Sequence, residues 1–245
     1  MRPKIVAGNW KMHGTRESAE QLATGLAKLD VDADVVVFPP YVYLDVVAKA
    51  APGLKFGAQD VAVEVQGAFT GEVSAEMLAD VGCAYVLVGH SERRSLYAES
   101  NEVVAQKFLA ALRAGLTPML CVGESLVERE QGQAEEVVFA QLQAVLDVAG
   151  ADLLAKSVIA YEPVWAIGTG LTASPEQAQQ MHQAIRNWLR KQLGAQADSV
   201  AILYGGSVKA ENAAEIFAQP DVDGGLVGGA SLKLNEFIAI CRARQ

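Results

Sequence analysis

The stretch Lys4-Ile5-Val6-Ala7-Gly8-Asn9-Trp10-Lys11 decides between two architectures for this chain. A short apolar run, of the length of a buried strand, leads straight into asparagine, tryptophan and lysine. In an open doubly wound sheet the first strand is expected to end in a glycine-rich phosphate-binding turn. That turn is absent here, and the rest of the chain supplies the other architecture. Further strand-like runs are read near 34–38, 54–59, 84–89, 117–122, 157–162, 200–205 and 223–228. Amphipathic helical patterns lie between them near 16–29, 42–51, 74–82, 101–114, 133–149, 174–193 and 209–218, with a last one near 232–243. Strict alternation calls for a parallel sheet with helical crossovers. Eight such units in 245 residues predict a closed (β/α)8 barrel, with eight outer helices, forming one domain over residues 1–245.

Local signals agree with these boundaries. Ser174-Pro175-Glu176 offers a cap followed by proline at the first helical position, and Thr15 and Ser100 precede their helices. Gly115 and Gly194 come just after helical segments as C-terminal stops.

Composition narrows the partners. The chain has 20 basic and 29 acidic residues, a net charge of −9, and no basic cluster, which argues against nucleic acid. Any site for an anion must therefore build its positive potential locally. Three cysteines, at 83, 121 and 241, lack paired spacing and point to a reducing compartment. Cys83 and Cys121 lie in apolar runs as packing residues. No apolar run approaches membrane-spanning length and no N-terminal signal is read, so the expected location is the cytoplasm.

In a barrel the C-terminal ends of all strands meet on one face, so the residues just past each strand are the site candidates. After the first strand stand Asn9 and Lys11; after the fourth, His90-Ser91-Glu92-Arg93-Arg94; after the sixth, Glu162. Gly205-Gly206-Ser207 and Gly228-Gly229 stand beyond the seventh and eighth. Paired glycines on these neighbouring strands form an anion cradle, where backbone amides approach a phosphate closely; plain tight turns are the alternative. Glu162 closes the run Val158-Ile159-Ala160-Tyr161 and precedes Pro163-Val164-Trp165-Ala166-Ile167-Gly168-Thr169-Gly170. A carboxylate base beside a loop with an apolar tip reads as a site with a lid over 163–173 that expels water.

His90 opens a polar run whose amides can donate to one ring nitrogen, leaving a neutral imidazole that donates from the other. Lys11 supplies the missing positive charge, with Glu92 as the partner that positions it. His182 sits mid-helix as a surface or packing residue, and His13 lies near the rim. The cysteines lack metal-ligand spacing and His90 is the only histidine at a strand end, so no metal is expected, and no cofactor. Base, electrophile, cation and phosphate cradle together suit proton transfer next to a carbonyl, through an enediolate. A Schiff-base aldolase using Lys11, and a phosphometabolite-binding scaffold without catalysis, are the other classes.

Asn9-Trp10-Lys11-Met12, Gly89 to Arg94, Ala160 to Gly170, Tyr204-Gly205-Gly206-Ser207-Val208 and Val227 to Leu232 together resemble the triosephosphate isomerase family, in order along the whole chain. The resemblance implies interconversion of dihydroxyacetone phosphate and D-glyceraldehyde 3-phosphate, a step of glycolysis and gluconeogenesis. It implies Glu162 as proton acceptor, His90 as electrophile, and Asn9 and Lys11 as substrate-binding. By the same resemblance, Gly168, Ser207, Gly228 and Gly229 hold the phosphate by backbone amides. Cys121 is a buried neighbour of the site, and Tyr204 and Ser207 latch the closed lid. The family is also homodimeric, and Gln66-Gly67-Ala68-Phe69-Thr70-Gly71-Glu72 resembles its intersubunit loop, with Thr70 at the tip. On the residues alone, Phe69 is an apolar group on a long loop that wants cover. His13, where the family often has asparagine, and Leu171, where it often has lysine, depart from the commoner forms.

Overall fold

A computed structural model describes residues 2–167 and 172–244. Its eight strands are β1 (Ile5–Asn9), β2 (Asp34–Phe38), β3 (Lys55–Ala58), β4 (Tyr85–Val88), β5 (Thr117–Val122), β6 (Val158–Tyr161), β7 (Ile202–Tyr204) and β8 (Gly224–Val227). Each pairs in parallel with its sequence neighbour, and β1 also pairs with β8 from Ile5↔Gly224 to Gly8↔Val227, closing the barrel. The strands read as continuous apolar runs because both faces are covered, one by the lumen and one by helices.

Eleven α-helices are found among the described residues. They are α1 (Arg16–Leu26), α2 (Leu44–Ala50), α3 (Ala75–Val81), α4 (Ser91–Leu96), α5 (Asn101–Arg113), α6 (Leu126–Glu130), α7 (Ala134–Ala149), α8 (Ala151–Leu154), α9 (Pro175–Leu193), α10 (Ala213–Phe217) and α11 (Leu234–Arg242). The eight expected helices are all present. Three short ones, α4, α6 and α8, lie in segments too brief to show a helical period. Three expected helices start late: Tyr41–Tyr43 is a 3₁₀ segment ahead of α2, residues 210–212 form turns before α10, and Gly229–Leu232 is a 3₁₀ segment ahead of α11. Side-chain caps from Thr15, Ser100 and Ser174 start α1, α5 and α9, Ser174 with a reciprocal bond from Gln177.

The core has two layers. Ile5, Ala7, Val36, Phe38, Leu87, Met119, Cys121, Val158, Ala160, Ala201, Leu203 and Leu226 fill the lumen, and a larger apolar cluster lies between strands and helices. The lumen residues fix the site. Inward positions alternate with period two along a strand. One step beyond the packed column, that alternation reaches Asn9 at the end of β1, Glu162 after β6, Gly205 after β7 and Gly228 after β8. The mouth of the barrel is therefore the next layer of the core, built of polar groups and glycines.

Candidate active site

A cavity of about 440 Å³ opens at this mouth. Asn9, Lys11, His90, Glu162, Gly205, Gly206, Ser207, Gly228 and Gly229 all line it, so residues from five strand ends meet there. Gly168 and the tip of the expected lid lie outside the described residues; Ile167, at its near end, lines the cavity.

Glu162 is 2 % exposed, with its backbone amide donating to the Val122 carbonyl at 2.7 Å. Its carboxylate accepts from His90 Nε2 at 2.9 Å, from the Ser91 amide at 2.9 Å and from Ser91 Oγ at 3.4 Å. His90 is the N-cap of α4, and its Nδ1 accepts the Glu92 amide at 3.2 Å. A ring that accepts at Nδ1 carries its proton on Nε2, which is the tautomer expected from the polar run. Burial alone pushes the Glu162 carboxyl up, but the His90 ring and the Ser91 amide outweigh it and hold the group below the usual carboxylate value. Burial likewise disfavours a charged His90, and the adjacent Glu162 carboxylate outweighs that and raises it.

Lys11 adopts φ +49°, a left-handed conformation that costs a non-glycine residue roughly 1–2 kcal/mol. Two contacts hold it there. Its amide donates to Asn9 Oδ1 at 2.9 Å, and Gln59 Nε2 donates to its carbonyl at 2.8 Å while also reaching the Phe38 carbonyl at 2.8 Å. The Lys11 Nζ forms an ion pair with Glu92 Oε1, the partner expected from the sequence. The same helix end thus fixes His90 through its amide and Lys11 through its side chain.

Glycine is needed at 206, where a Cβ would collide with the Tyr204 hydroxyl, and Tyr204 itself is fully buried. Cys121 is buried in the lumen; burial first, and the Glu162 charge second, raise its thiol well above its ordinary value, which suits packing and not nucleophilic attack. His182 is 0 % exposed, a packing residue whose ring meets Tyr161 edge-on at 5.8 Å and Tyr204 at 6.2 Å.

Several residues that shape the site were missed in the sequence. Glu124 is 0 % exposed and accepts from Tyr161 Oη at 3.0 Å, Trp165 Nε1 at 2.8 Å and Arg129 Nη1 at 3.2 Å. The Arg129 guanidinium also lies over the Trp165 ring at 4.7 Å. The sequence signal was weak, because Glu124 stands two residues past β5 and off its inward positions, whereas Glu162 stands one residue past β6 on them. Arg94 was seen only as part of a polar run; its Nε donates to the Gly89 carbonyl at 2.7 Å and its Nη2 to the Cys121 carbonyl at 3.2 Å, tying two strand ends together.

A second cavity of about 370 Å³ adjoins the first and shares Asn9, Lys11, His13 and His90 with it. Its wall includes Met12, Leu96 and Tyr97, which are 93 %, 74 % and 66 % exposed. Phe69 is 45 % exposed, and Thr70 beside it is exposed.

The fold and its mouth define a class first: a (β/α)8-barrel enzyme with a polar, glycine-lined cavity at the strand C-termini, where such barrels carry out their chemistry. Comparison with known proteins narrows it. The family model for triosephosphate isomerase matches residues 4–244. Proteins named triosephosphate isomerase from Thiobacillus denitrificans and Pseudomonas entomophila are 59 % and 56 % identical, each alignment covering 99 % of this chain and 99 % of the relative. One from Alcanivorax borkumensis is 54 % identical over 100 % of this chain and 99 % of its own length. The chain belongs to the triosephosphate isomerase family, and it is an isomerase.

Proposed function

We propose that the chain interconverts dihydroxyacetone phosphate and D-glyceraldehyde 3-phosphate, a step of glycolysis and gluconeogenesis, by proton transfer through an enediolate. Glu162 takes a proton from C1 of the ketose, and the electron pair moves to the C2 oxygen. His90 Nε2–H and the Lys11 ammonium stabilise the charge that develops there. Return of a proton to C2, with a proton shifted between the two oxygens, gives the aldose. Asn9 and Lys11 contact the substrate, and the amides of Gly168, Ser207, Gly228 and Gly229 take the phosphate.

The observation that carries this reading is the 2.9 Å contact between His90 Nε2 and Glu162 Oε1, with Nδ1 already occupied by the Glu92 amide. The one available imidazole proton serves the carboxylate when the cavity is empty, and a substrate oxygen competes for it. When the carboxylate gives up His90 and Ser91, burial becomes the dominant influence and its basicity rises. A weak resting base thus strengthens on engagement.

The lid over 163–173 is proposed to close over the phosphate, with Tyr204 and Ser207 as its latch; Trp165, held by Glu124 and covered by Arg129, is its near anchor. A homodimer is proposed as well, in which the loop carrying Phe69 and Thr70 fills the second cavity of the partner and covers Met12, Leu96 and Tyr97. Its support is that cluster of exposed apolar groups beside Asn9 and Lys11. The cytoplasm is proposed as the compartment, supported by Cys83, Cys121 and Cys241, which are all free thiols. Among the described residues no helix is long and apolar enough to cross a membrane.

The test is turnover of D-glyceraldehyde 3-phosphate in a coupled assay, with and without EDTA. Rapid, chelator-resistant conversion is expected. Folded protein that binds the substrate without converting it is a phosphometabolite-binding scaffold, and loss of turnover with EDTA alone means a metal-dependent reaction.

A further inference from the structure

Gly123 stands one residue past the end of β5, whose last paired residue, Val122, faces Tyr161. Its peptide groups are taken by a single side chain. The Gly123 amide donates to Gln141 Oε1 at 2.8 Å, and Gln141 Nε2 donates to the Gly123 carbonyl at 3.0 Å. Gln141 lies in the middle of α7 and is 8 % exposed, a polar residue on the face that α7 otherwise buries with Val138, Leu142 and Val145. A carboxamide presents one donor and one acceptor side by side, as the edge of a strand does. Gln141 therefore continues the sheet for one residue where no strand is left to do so.

What this clamp holds is the backbone under Glu162. A Cβ on Gly123 would fall on the Glu162 carbonyl oxygen, so the two backbones are in direct contact. On either side of that contact, the Glu162 amide donates to the Val122 carbonyl at 2.7 Å and the Val164 amide to the Glu124 carbonyl at 3.1 Å. Residues 122–124 thus set the register of residues 162–164, and Gln141 fixes the middle of 122–124 from outside the barrel.

We propose that Gln141 is a positioning residue for Glu162: its side-chain amide clamps the Gly123 peptide, which in turn sets where the carboxylate stands at the barrel mouth. The inference rests on the reading of Glu162 as the base. Without the clamp, two peptide groups beside the site lose their partner, and the segment turns to find water. A displacement of about 1 Å in a reacting group is enough to cost on the order of 10² in rate. Gly123 and Gln141 do not line the cavity. The cradle reaches this corner only through the Gly205 amide on the Tyr161 carbonyl at 2.7 Å and the packing of Gly205 and Gly206 on Glu162 and Pro163. The larger effect is therefore expected on the placement of Glu162 and the smaller on substrate binding.

The experiment compares Gln141→Leu, Gln141→Glu and, as a control on the base itself, Glu162→Asp. It uses steady-state kinetics across pH and the folded fraction from denaturant unfolding. Gln141→Leu is expected to lower kcat by roughly ten- to a hundredfold with KM changed by less than about threefold. Gln141→Glu separates positioning from bulk stability. Its ionised form accepts from the Gly123 amide but sets a lone pair against the Gly123 carbonyl, whereas its protonated form donates there as glutamine does. Its kcat relative to the parent protein should therefore rise as pH is lowered from about 8 to about 6, while the Gln141→Leu ratio stays flat. The inference is overturned by parental kcat in folded Gln141→Leu, by losses that only track the folded fraction, or by a pH-independent ratio for Gln141→Glu. Should Gln141→Leu fail to fold, the pH dependence of Gln141→Glu decides alone. Full turnover in Glu162→Asp brings down the base reading; an impaired Glu162→Asp beside an unimpaired Gln141→Leu brings down only the role of Gln141.

Discussion

The charged groups at the floor of the barrel and those at its mouth are partnered in opposite ways. At the floor, Asp223 Oδ2 receives Arg186 Nη2 at 2.5 Å and the Ile202 amide at 2.8 Å, while Oδ1 meets Arg2 Nε at 2.9 Å. Arg186 also donates to the Ala197 and Val200 carbonyls, at 2.8 and 2.6 Å. None of these partners lines the cavity at the mouth. At the mouth, Glu162, His90, Lys11 and Glu92 partner one another around an opening of about 440 Å³. The difference separates charges that hold a structure from charges that can exchange partners. A floor ion has nothing to trade its partners for. A mouth ion can pass its hydrogen bonds to a ligand, and His90 and Glu162, bonded to each other at 2.9 Å beside the cavity, are placed to do so.

Substitutions at the two ends test that contrast and carry the largest expected effects. At the mouth, Glu162→Asp or His90→Gln should lower kcat by about 10²–10⁴ with little change in unfolding midpoint, checked by kinetics beside urea denaturation. At the floor, Asp223→Ala should cost roughly 3–5 kcal/mol of stability, because Arg186 is left charged and buried, while turnover per folded molecule is retained. A floor variant that loses turnover while staying folded, or a mouth variant that loses stability and keeps turnover, breaks the comparison.

A smaller effect concerns His182, which lies between these two regions. Burial first, with the Arg186 charge adding to it, depresses its pKa from 6.5 to about 4. The unfolded chain therefore binds a proton that the folded chain refuses between those values. Stability should be full above about pH 6.5 and fall as the pH drops toward about 4, by on the order of 3 kcal/mol, and change no further on this account below that. His182→Asn can keep a donor toward the Asp221 carbonyl, which faces Nδ1 at 3.2 Å, and cannot titrate. Its denaturation free energy should lose the acid-side slope; an unchanged slope assigns it to other groups.

The smallest expected change is at Ala98, whose φ of +56° is left-handed. Ala98→Gly relieves a strain of roughly 1–2 kcal/mol but adds about 0.5–1 kcal/mol of unfolded-state entropy. A net gain near 0.5 kcal/mol is expected by denaturant titration, and a loss would mean that the alanine methyl packs usefully.

Much of this was legible in the sequence because the barrel repeats its logic. Runs buried on both faces marked each strand to within two residues. The residue just past a strand had to face the mouth, which is how Asn9, Glu162 and Gly228 could be found together. Other features do not announce themselves. The six residues of α4 show no period, since a helix that short is set by the His90 cap and its neighbours. Helix α6 did carry a readable signal in Ser125 and Glu128, which form a capping box. Gln141 looks like one more polar residue on an amphipathic helix, and its burial is explained only by Gly123 needing a partner. His182 could be read as surface or packing; the rings of Tyr161 and Tyr204 decide for packing.

The central claim, that Glu162 moves a carbon-bound proton, is tested most directly by tracking solvent deuterium into product when dihydroxyacetone phosphate is converted in D₂O. The parent protein should place deuterium at C2 of the aldose, and folded Glu162→Gln should lose that exchange by a factor on the order of 10² or more. Exchange at the parental rate in folded Glu162→Gln would contradict the account.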